Sequence, residues 1–212
     1  METQPVRKRL TTGERQDEIV RVAVDLAADR GVESVTTQAM ADAMQMTQGA
    51  IFRHFASKDD IWYAVIVWVR ETLMGVLSKA AAGATNPLDA VERMFVAHMG
   101  FIAKHPAIPR LLFSELLHKK NSKFGGLIKE IIGGYEARIV GLLEESKAAG
   151  LVRADLDTAS AAVLYIGMIQ GLVLRSSVML DGELALRDTA RNTFAVYLDG
   201  IRAGSASVKE SV

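Results

Sequence analysis

Residues 47–60 read TQGAIFRHFASKDD, and the reading of this stretch decides the fold. Thr47 is of N-cap type and heads a very short helix; the chain breaks at Ala56, and Ser57 caps a second helix with Asp60 at its N3 position. Ile51 and Phe55 have i,i+4 spacing and face inward together. Met46 before the cap and Ile51 inside the helix have the spacing of a hydrophobic staple. The outer side is left to Gln48, Gly49, Phe52 and Arg53, with His54 and Lys58 close behind. A turn built for solubility alone has no use for a phenylalanine there.

The segment in front supplies the explanation. Ile19, Val22, Ala23, Leu26 and Ala27 form one apolar helical stripe. Thr11 and Glu14 have capping-box spacing, and Gly31 ends the helix as a C′ glycine. A second, short helix is expected after Thr36 as far as about Met44, with Met40, Ala41 and Met44 on its inner face. Two short helices joined by a tight turn and braced by a longer first one make a helix-turn-helix, whose second helix enters the major groove of DNA. Gln48 is suited to adenine N6 and N7, and Phe52 to a thymine methyl. Gly49 lets the backbone come close to DNA. Thr47, Arg53, His54 and Lys58 suit phosphates, and Thr47 and Lys58 also sit at helix N-termini, which attract anions. Thr36, Thr37 and Ala50 complete the expected DNA-facing set. Arg7, Lys8 and Arg9 read equally well as an arm on DNA and as a solvated tail.

The run TTQAMADAMQMTQGAIFRHFASKDD resembles the DNA-binding domain of the TetR/AcrR-type transcriptional regulators. The resemblance rests on Gly49, Ile51, Phe52, His54, Phe55, Ser57 and Lys58 in order, behind a first helix that ends at Gly31. It covers about Thr11 to Val67. Further on, the resemblance lies in the helical layout and in IGMIQGLVLR, which looks like the family's eighth helix. It implies a homodimer, an operator of two half-sites and a C-terminal ligand pocket. Two positions depart from the family's pattern. Gln45 stands in the turn where glycine is usual, which requires a non-glycine residue at positive φ. Phe52 stands where the family often has tyrosine, so a hydroxyl contact to phosphate is missing and the apolar contact is kept.

The rest of the chain is helical in pattern. The helix opened by Ser57 carries Ile61, Trp62, Val65, Trp68, Val69 and Leu73, fades over Ala80 to Ala84, and is followed by a restart at Asn86–Pro87. The expected division is an arm and helix-turn-helix domain over 1–57, a connecting fourth helix over 58–84, an effector-binding and dimerisation domain over 85–203, and a fraying tail over 204–212. The fold class is all-α, with no strand pattern. Helices are expected to about Lys104, over Leu111 to Leu117, from Leu127 to Gly150, over Asp157 to Leu180 and over Glu183 to Ala203.

Apolar residues in the second half serve two expected surfaces. Phe95, Met99, Ile102, Leu112, Leu116, Tyr135, Ile139, Tyr165, Met168 and Leu172 are candidates to line a pocket between the fifth, sixth, seventh and eighth helices. Met suits such sites because it adapts. Leu186, Phe194, Tyr197, Leu198 and Ile201 give the last helix a wide stripe, and Gly167 and Gly171 allow close helix approach. Together they predict a four-helix dimer interface. The sixth helix, bracketed by Pro106, Pro109 and the loose stretch from Asn121 to Gly126, is expected to shift easily and to press on the fourth.

Composition bounds the remainder. The chain has 212 residues, 50% of them hydrophobic, with 25 Lys+Arg against 25 Asp+Glu and no cysteine. Bulk charge therefore favours no partner, although a local basic patch is enough for DNA. Disulfides and thiolate metal sites are excluded, and a cytoplasmic setting is expected. The basic N-terminus lacks the apolar run of a secretory signal. Ala159 to Leu174 is almost wholly apolar but shorter than the roughly 20 residues of a spanning helix, and Gln170 interrupts it; no membrane contact is expected. His98, His105, Glu115 and His118 lack the close spacing of a metal site, no catalytic grouping occurs, and no metal or cofactor is expected. The function expected is a DNA-binding transcriptional regulator, a repressor released from an inverted-repeat operator by a small lipophilic or amphipathic effector, and not an enzyme. The alternative is a helical carrier or enzyme whose N-terminus only resembles a DNA reader.

Overall fold

The structure is a computed structural model that describes residues 11–118, 123–179 and 183–203. The described residues form an all-α chain of helices α1 (Thr12–Arg30), α2 (Thr37–Ala43), α3 (Gln48–Ile51), α4 (Lys58–Ala82), α5 (Pro87–Lys104), α6 (Ala107–His118), α7 (Lys123–Ala148), α8 (Thr158–Met179) and α9 (Glu183–Ile201). A single 3-10 turn, Val32–Ser34, follows α1.

Side-chain caps set the early boundaries. The Thr11 hydroxyl accepts from the Glu14 amide at 3.2 Å, and the Glu14 carboxylate accepts from the Thr11 amide at 2.7 Å. This is the capping box read from the sequence. Thr36, Thr47, Ser57 and Asn86 cap α2, α3, α4 and α5 in the same way. Gly31 ends α1 at φ 80°, and Gly150 follows α7 at φ 68°. Gln45 has φ 54° and is the one non-glycine residue at positive φ among the described residues. The turn it occupies is closed by backbone bonds from Gln45 to Asp42 (3.1 Å) and from Met46 to Ala41 (2.9 Å).

α4 ties the halves together. Ile61, Trp62, Val65, Ile66, Val69, Leu73 and Leu77 are buried along its length, and it packs on α1 at one end and on α5 and α7 beyond. By length and apolarity α4 and α8 would each suffice to cross a membrane; here their buried residues belong to the helical core. An isolated bridge between Val152 and Arg202 pins the α7–α8 connection to the end of α9.

α6 departs from its expected neighbour. Its main partners outside α7 are α1 and the 3-10 turn, not α4. Ala107, Ile108 and Leu111 are buried on it, so its apolar side lies on the junction between the two halves. The expected residues Arg7, Lys8 and Arg9 and the tail from Gly204 lie outside the described residues.

Candidate nucleic-acid interface and ligand cavity

Helix α3 is four residues long, so the reading surface is its first turn plus the turn that follows. Ile51 is fully buried and fixes the helix to the core, while Phe52 is 46% exposed. Thr36, Thr47, Gln48, Gly49 and Arg53 are exposed, and Ala50, His54 and Lys58 are half-buried. Of the outward set read from the sequence, Gln48, Gly49, Phe52 and Arg53 are exposed, and the inward Ile51 is buried.

Two members differ from expectation. Thr37 is 8% exposed and its hydroxyl accepts from Gln48 Nε2 at 2.7 Å. Its hydroxyl is turned to the Gln48 amide, which keeps its carbonyl oxygen and a further N–H unengaged by that bond. His54 has its Nδ1 buried without a partner among the described residues, and its carbonyl accepts from Gln16 Nε2 at 3.0 Å. That bond from α1 braces the turn after α3, and no pattern in the sequence marks Gln16 for it. Lys58 opens α4 beside Asp59 and Asp60 in the same first turn, so its attraction for phosphate works against two neighbouring carboxylates.

In the second half, one apolar cavity of about 130 Å³ lies among α4, α5, α6, α7 and α8. Of the residues expected to line it, Ile102, Leu112 and Tyr135 do. Phe95, Ile139, Tyr165 and Leu172 are instead core residues. Phe95 stacks on Phe194 at 4.6 Å, and Tyr165 meets Phe95 edge-on at 5.5 Å. Met99 lines a surface groove between α4, α5 and α9, and Met168 lines another between α8 and α9. The side chain of Leu116 lies outside the described residues. The walls not foreseen are Val69 and Leu73 from α4, Ile128, Ile131 and Ile132 from α7, and Ile166, Ile169 and Val173 from α8. α8 is apolar around most of its circumference, so its pattern alone does not tell the cavity side from the core side.

Polar groups in the cavity are few. His98 lines it and stands 5.5 Å from Tyr135, ring to ring. Burial pushes its imidazole down to about 4, which leaves it neutral at pH 7. His98 retains some exposed surface as a whole residue although its Nδ1 is buried. Tyr135 shares a 2.8 Å hydrogen bond with Tyr165, and burial raises both phenols. His105 stands elsewhere, edge-on to Trp68 at 5.5 Å. No group of metal-ligating side chains occurs among the described residues.

The expected dimer stripe is also displaced. Leu186, Phe194, Tyr197, Leu198 and Ile201 are all 7% exposed or less. They face the chain's own core, where the Tyr197 hydroxyl donates to the Ala161 carbonyl at 3.0 Å. Among the described residues, the large apolar side chains left exposed on α8 and α9 are Val163, Leu164, Leu174 and Val196, between 56% and 73% exposed. Gly167 and Gly171 are exposed on the same helix, and a Cβ at either would meet open space.

Comparison with known proteins agrees with this geometry. The sequence model of the bacterial regulatory proteins of the tetR family matches residues 19–65, which span the bracing helix, the reading helix and the start of α4. The nucleoid occlusion factor SlmA of Haemophilus ducreyi is 26% identical over 148 residues, 68% of this chain and 73% of that protein. The ketosteroid transcriptional regulator KstR2 of Mycobacterium tuberculosis has a TM-score of 0.72 at 20% identity, over 90% of this chain and 96% of its own. The transcriptional regulator FadR from Bacillus subtilis, solved in complex with stearoyl-CoA, has a TM-score of 0.73 at 20% identity, over 88% of this chain and 99% of its own. At these identities the structural likeness is one of fold.

Proposed function

We propose, for a chain that belongs by its N-terminal domain to the tetR family of DNA-binding transcriptional regulators, that it acts in the cytoplasm as a homodimeric repressor. It is released from an inverted-repeat operator when a small lipophilic effector enters the cavity. The observation that carries this reading is the position of the cavity. Its walls include Val69 and Leu73 of α4 and Ile108, Pro109 and Leu112 of α6. α4 begins directly after the reading turn, and α6 lies on α1 and the 3-10 turn. A ligand that widens the cavity therefore pushes on two elements that hold the DNA-binding domain. Pairing through Val163, Leu164, Leu174 and Val196 would set the two reading helices about 34–36 Å apart for successive major grooves. A tilt of α4 changes that spacing. The stearoyl-CoA bound by FadR supports a lipophilic effector in this fold.

Binding sites selected from a random duplex pool test the first step, and an inverted repeat is expected. A clean monomer near 23 kDa on sedimentation at micromolar concentration would overturn the dimer and the repeat together. The switch is tested by titrating a ligand with and without operator. Linkage is reciprocal, so DNA should weaken ligand binding as much as ligand weakens DNA binding, typically by a factor of about 5–150. Equal ligand affinity in both would favour a second reading, raised by the similarity to SlmA, in which the chain is a DNA-binding nucleoid occlusion factor.

A further inference from the structure

A helix as short as α3 cannot hold its own direction. It has four residues, and a single helical turn is unstable by itself because nucleation fixes several residues for one bond. Of those four, Ile51 alone is fully buried. The bracing helix is the opposite case. α1 runs for 19 residues, opens on the Thr11–Glu14 capping box and buries an apolar stripe from Ile19 to Ala27. Two side-chain bonds reach across to the reading segment, one near each end of it. Thr37 of α2 accepts from the Gln48 amide near the start. Half-buried Gln16 of α1 donates from Nε2 to the His54 carbonyl at 3.0 Å past the end. That carbonyl is one of those a helix end leaves without an intrahelical partner. The Gln16 bond is made to main chain, so it leaves the side chains of the reading face unengaged.

We infer that Gln16 is a positioning residue for DNA reading. By holding the His54 carbonyl it fixes the turn after α3 against α1, and with it the register of Gln48 and Arg53 on the duplex. This rests on α3 being the helix that reads DNA, as proposed above. Gln16 acts before DNA arrives, by keeping the reading turn in one arrangement. A binding-competent arrangement that is populated only part of the time weakens apparent affinity by that fraction. The loss falls on sequence reading, which needs base-edge contacts in register. Non-specific binding is sequence-independent phosphate attraction and is spared.

The test compares two duplexes on the full-length protein at fixed salt, by fluorescence anisotropy. One is the sequence that wild type selects from a random pool, and the other is a scrambled duplex of the same composition. Gln16→Met keeps the length of the side chain and removes its donor. It should weaken binding to the selected duplex by about 2- to 13-fold, the worth of one net hydrogen bond. Binding to the scrambled duplex should change by less than about twofold. Gln16→Ala, a good helix former without the donor, repeats the measurement. Gln16→Lys restores a donor of similar reach; its charge strengthens both duplexes, so the ratio of the two affinities should recover. A second readout needs no DNA. The amides of His54 and Phe55 bond the Ile51 carbonyl at 2.9 and 3.1 Å, and their hydrogen exchange should quicken in Gln16→Met while that of α7 does not. An unchanged ratio in both donorless variants overturns the inference and leaves α3 as the reader. Equal loss on both duplexes overturns it by assigning Gln16 to the DNA backbone. A fallen ratio with unchanged amide exchange overturns it in favour of direct base contact by Gln16. No preference of wild type for any duplex overturns reading by α3 and this inference with it. A fallen ratio, faster exchange at the turn and recovery in Gln16→Lys uphold it.

Discussion

The reading half and the cavity half are built by different kinds of contact. Around α3 the capping and turn-closing bonds run over short stretches of chain, between Thr47 and Ala50, Ser57 and Asp60, and Gln45 and Asp42, while the Gln48–Thr37 and Gln16–His54 bonds reach further. Around the cavity the contacts join distant helices, as when Phe95 of α5 stacks on Phe194 of α9 and Tyr135 of α7 bonds Tyr165 of α8. Chemistry that lies within one turn of chain fixes which way a side chain points. Chemistry that depends on four helices meeting does not act until they have met.

Two core deletions test whether this difference is also one of stability. Phe95→Ala removes a fully buried ring at the meeting of α5, α8 and α9 and should cost about 3–5 kcal/mol. Ile51→Ala removes the fully buried anchor of the reading helix and should cost about 2–5 kcal/mol. Thermal unfolding followed by circular dichroism, with ligand and operator binding on the same samples, separates them. Phe95→Ala should lower the main transition and weaken ligand binding. Ile51→Ala should abolish operator binding and leave the cavity able to bind. The buried core runs continuously through α4. If Ile51→Ala shifts the main transition as far as Phe95→Ala does, the halves unfold as one unit and the contrast is confined to how they are specified.

A pH titration sharpens the cavity side. The folded His98 imidazole is held down to about 4 by burial, below its ordinary value near 6.5. As pH falls below about 6.5 the unfolded chain takes up a proton that the folded one refuses. Stability is therefore fully present above that value and is lost as pH falls toward 4. The loss from this group should be on the order of 2–3 kcal/mol. Tyr135, the ring neighbour of His98, is raised by burial, and none of the described residues that line the cavity with it carries a charge over that window. Urea unfolding at pH 7 and at pH 4.5 checks the sign. His98→Gln should flatten the slope; an equal slope in the variant would assign the acid loss to carboxylates such as Asp89 and Asp157, which hydrogen bonds hold low.

The division also explains what could be read in advance. The order of the helices was legible, although α6 and α7 start about four residues earlier than the pattern places them, and so were the caps Thr11, Thr36, Thr47 and Ser57 and the stops at Gly31 and Gly150, because capping residues and glycine stops are local signals. So was the outward set Gln48, Gly49, Phe52 and Arg53, since four-residue spacing settles the two sides of α3 once Ile51 and Phe55 are placed inside. The burial of Thr37 and its bond to the Gln48 amide were not legible, because the bond joins α2 to α3 across eleven residues and no local pattern marks it. The cavity was mostly illegible. Val69 and Leu73 read as ordinary α4 core, and His98 is weighed only as a metal ligand, with His105, Glu115 and His118, and not as a cavity wall. The dimer face failed for a related reason. A wide apolar stripe shows how much area is covered, not whether the chain itself or a second copy covers it, so Leu186 and Tyr197 were assigned outward while Val163 and Val196 went unnoticed.

Reading is tested at Gln48. Gln48→Ala should weaken specific operator binding by about 1–3 kcal/mol and relax preference at one base position per half-site. Thr37→Val leaves the reading amide in place but removes its support, so it should blunt the same preference by less. Lys58→Ala should weaken all sequences alike and lower the salt slope by roughly one unit. Competition binding on a panel of single-base operator variants distinguishes the three. A Thr37→Val profile identical to wild type would show that the Gln48–Thr37 bond opens when DNA is bound.

The smallest expected effect lies in the turn between α2 and α3. Gln45 holds φ 54° with its side chain exposed, a conformation that costs a non-glycine residue roughly 1–2 kcal/mol through the crowding of its Cβ. Glycine removes that crowding but has more freedom to lose on folding, by roughly 0.5–1 kcal/mol. The difference leaves Gln45→Gly more stable by between zero and about 1.5 kcal/mol. The bonds that close the turn, Gln45 N–H to Asp42 and Met46 N–H to Ala41, are made by backbone and survive the change, so the reading helix keeps its place. The measurement is a urea midpoint for wild type and variant, read with the slope m to confirm that the same surface is exposed. A higher midpoint at equal m, with operator affinity within about twofold, is expected. A lower midpoint would mean that glycine's added freedom outweighs the relief, and that the turn is held by the backbone bonds with little strain at Gln45.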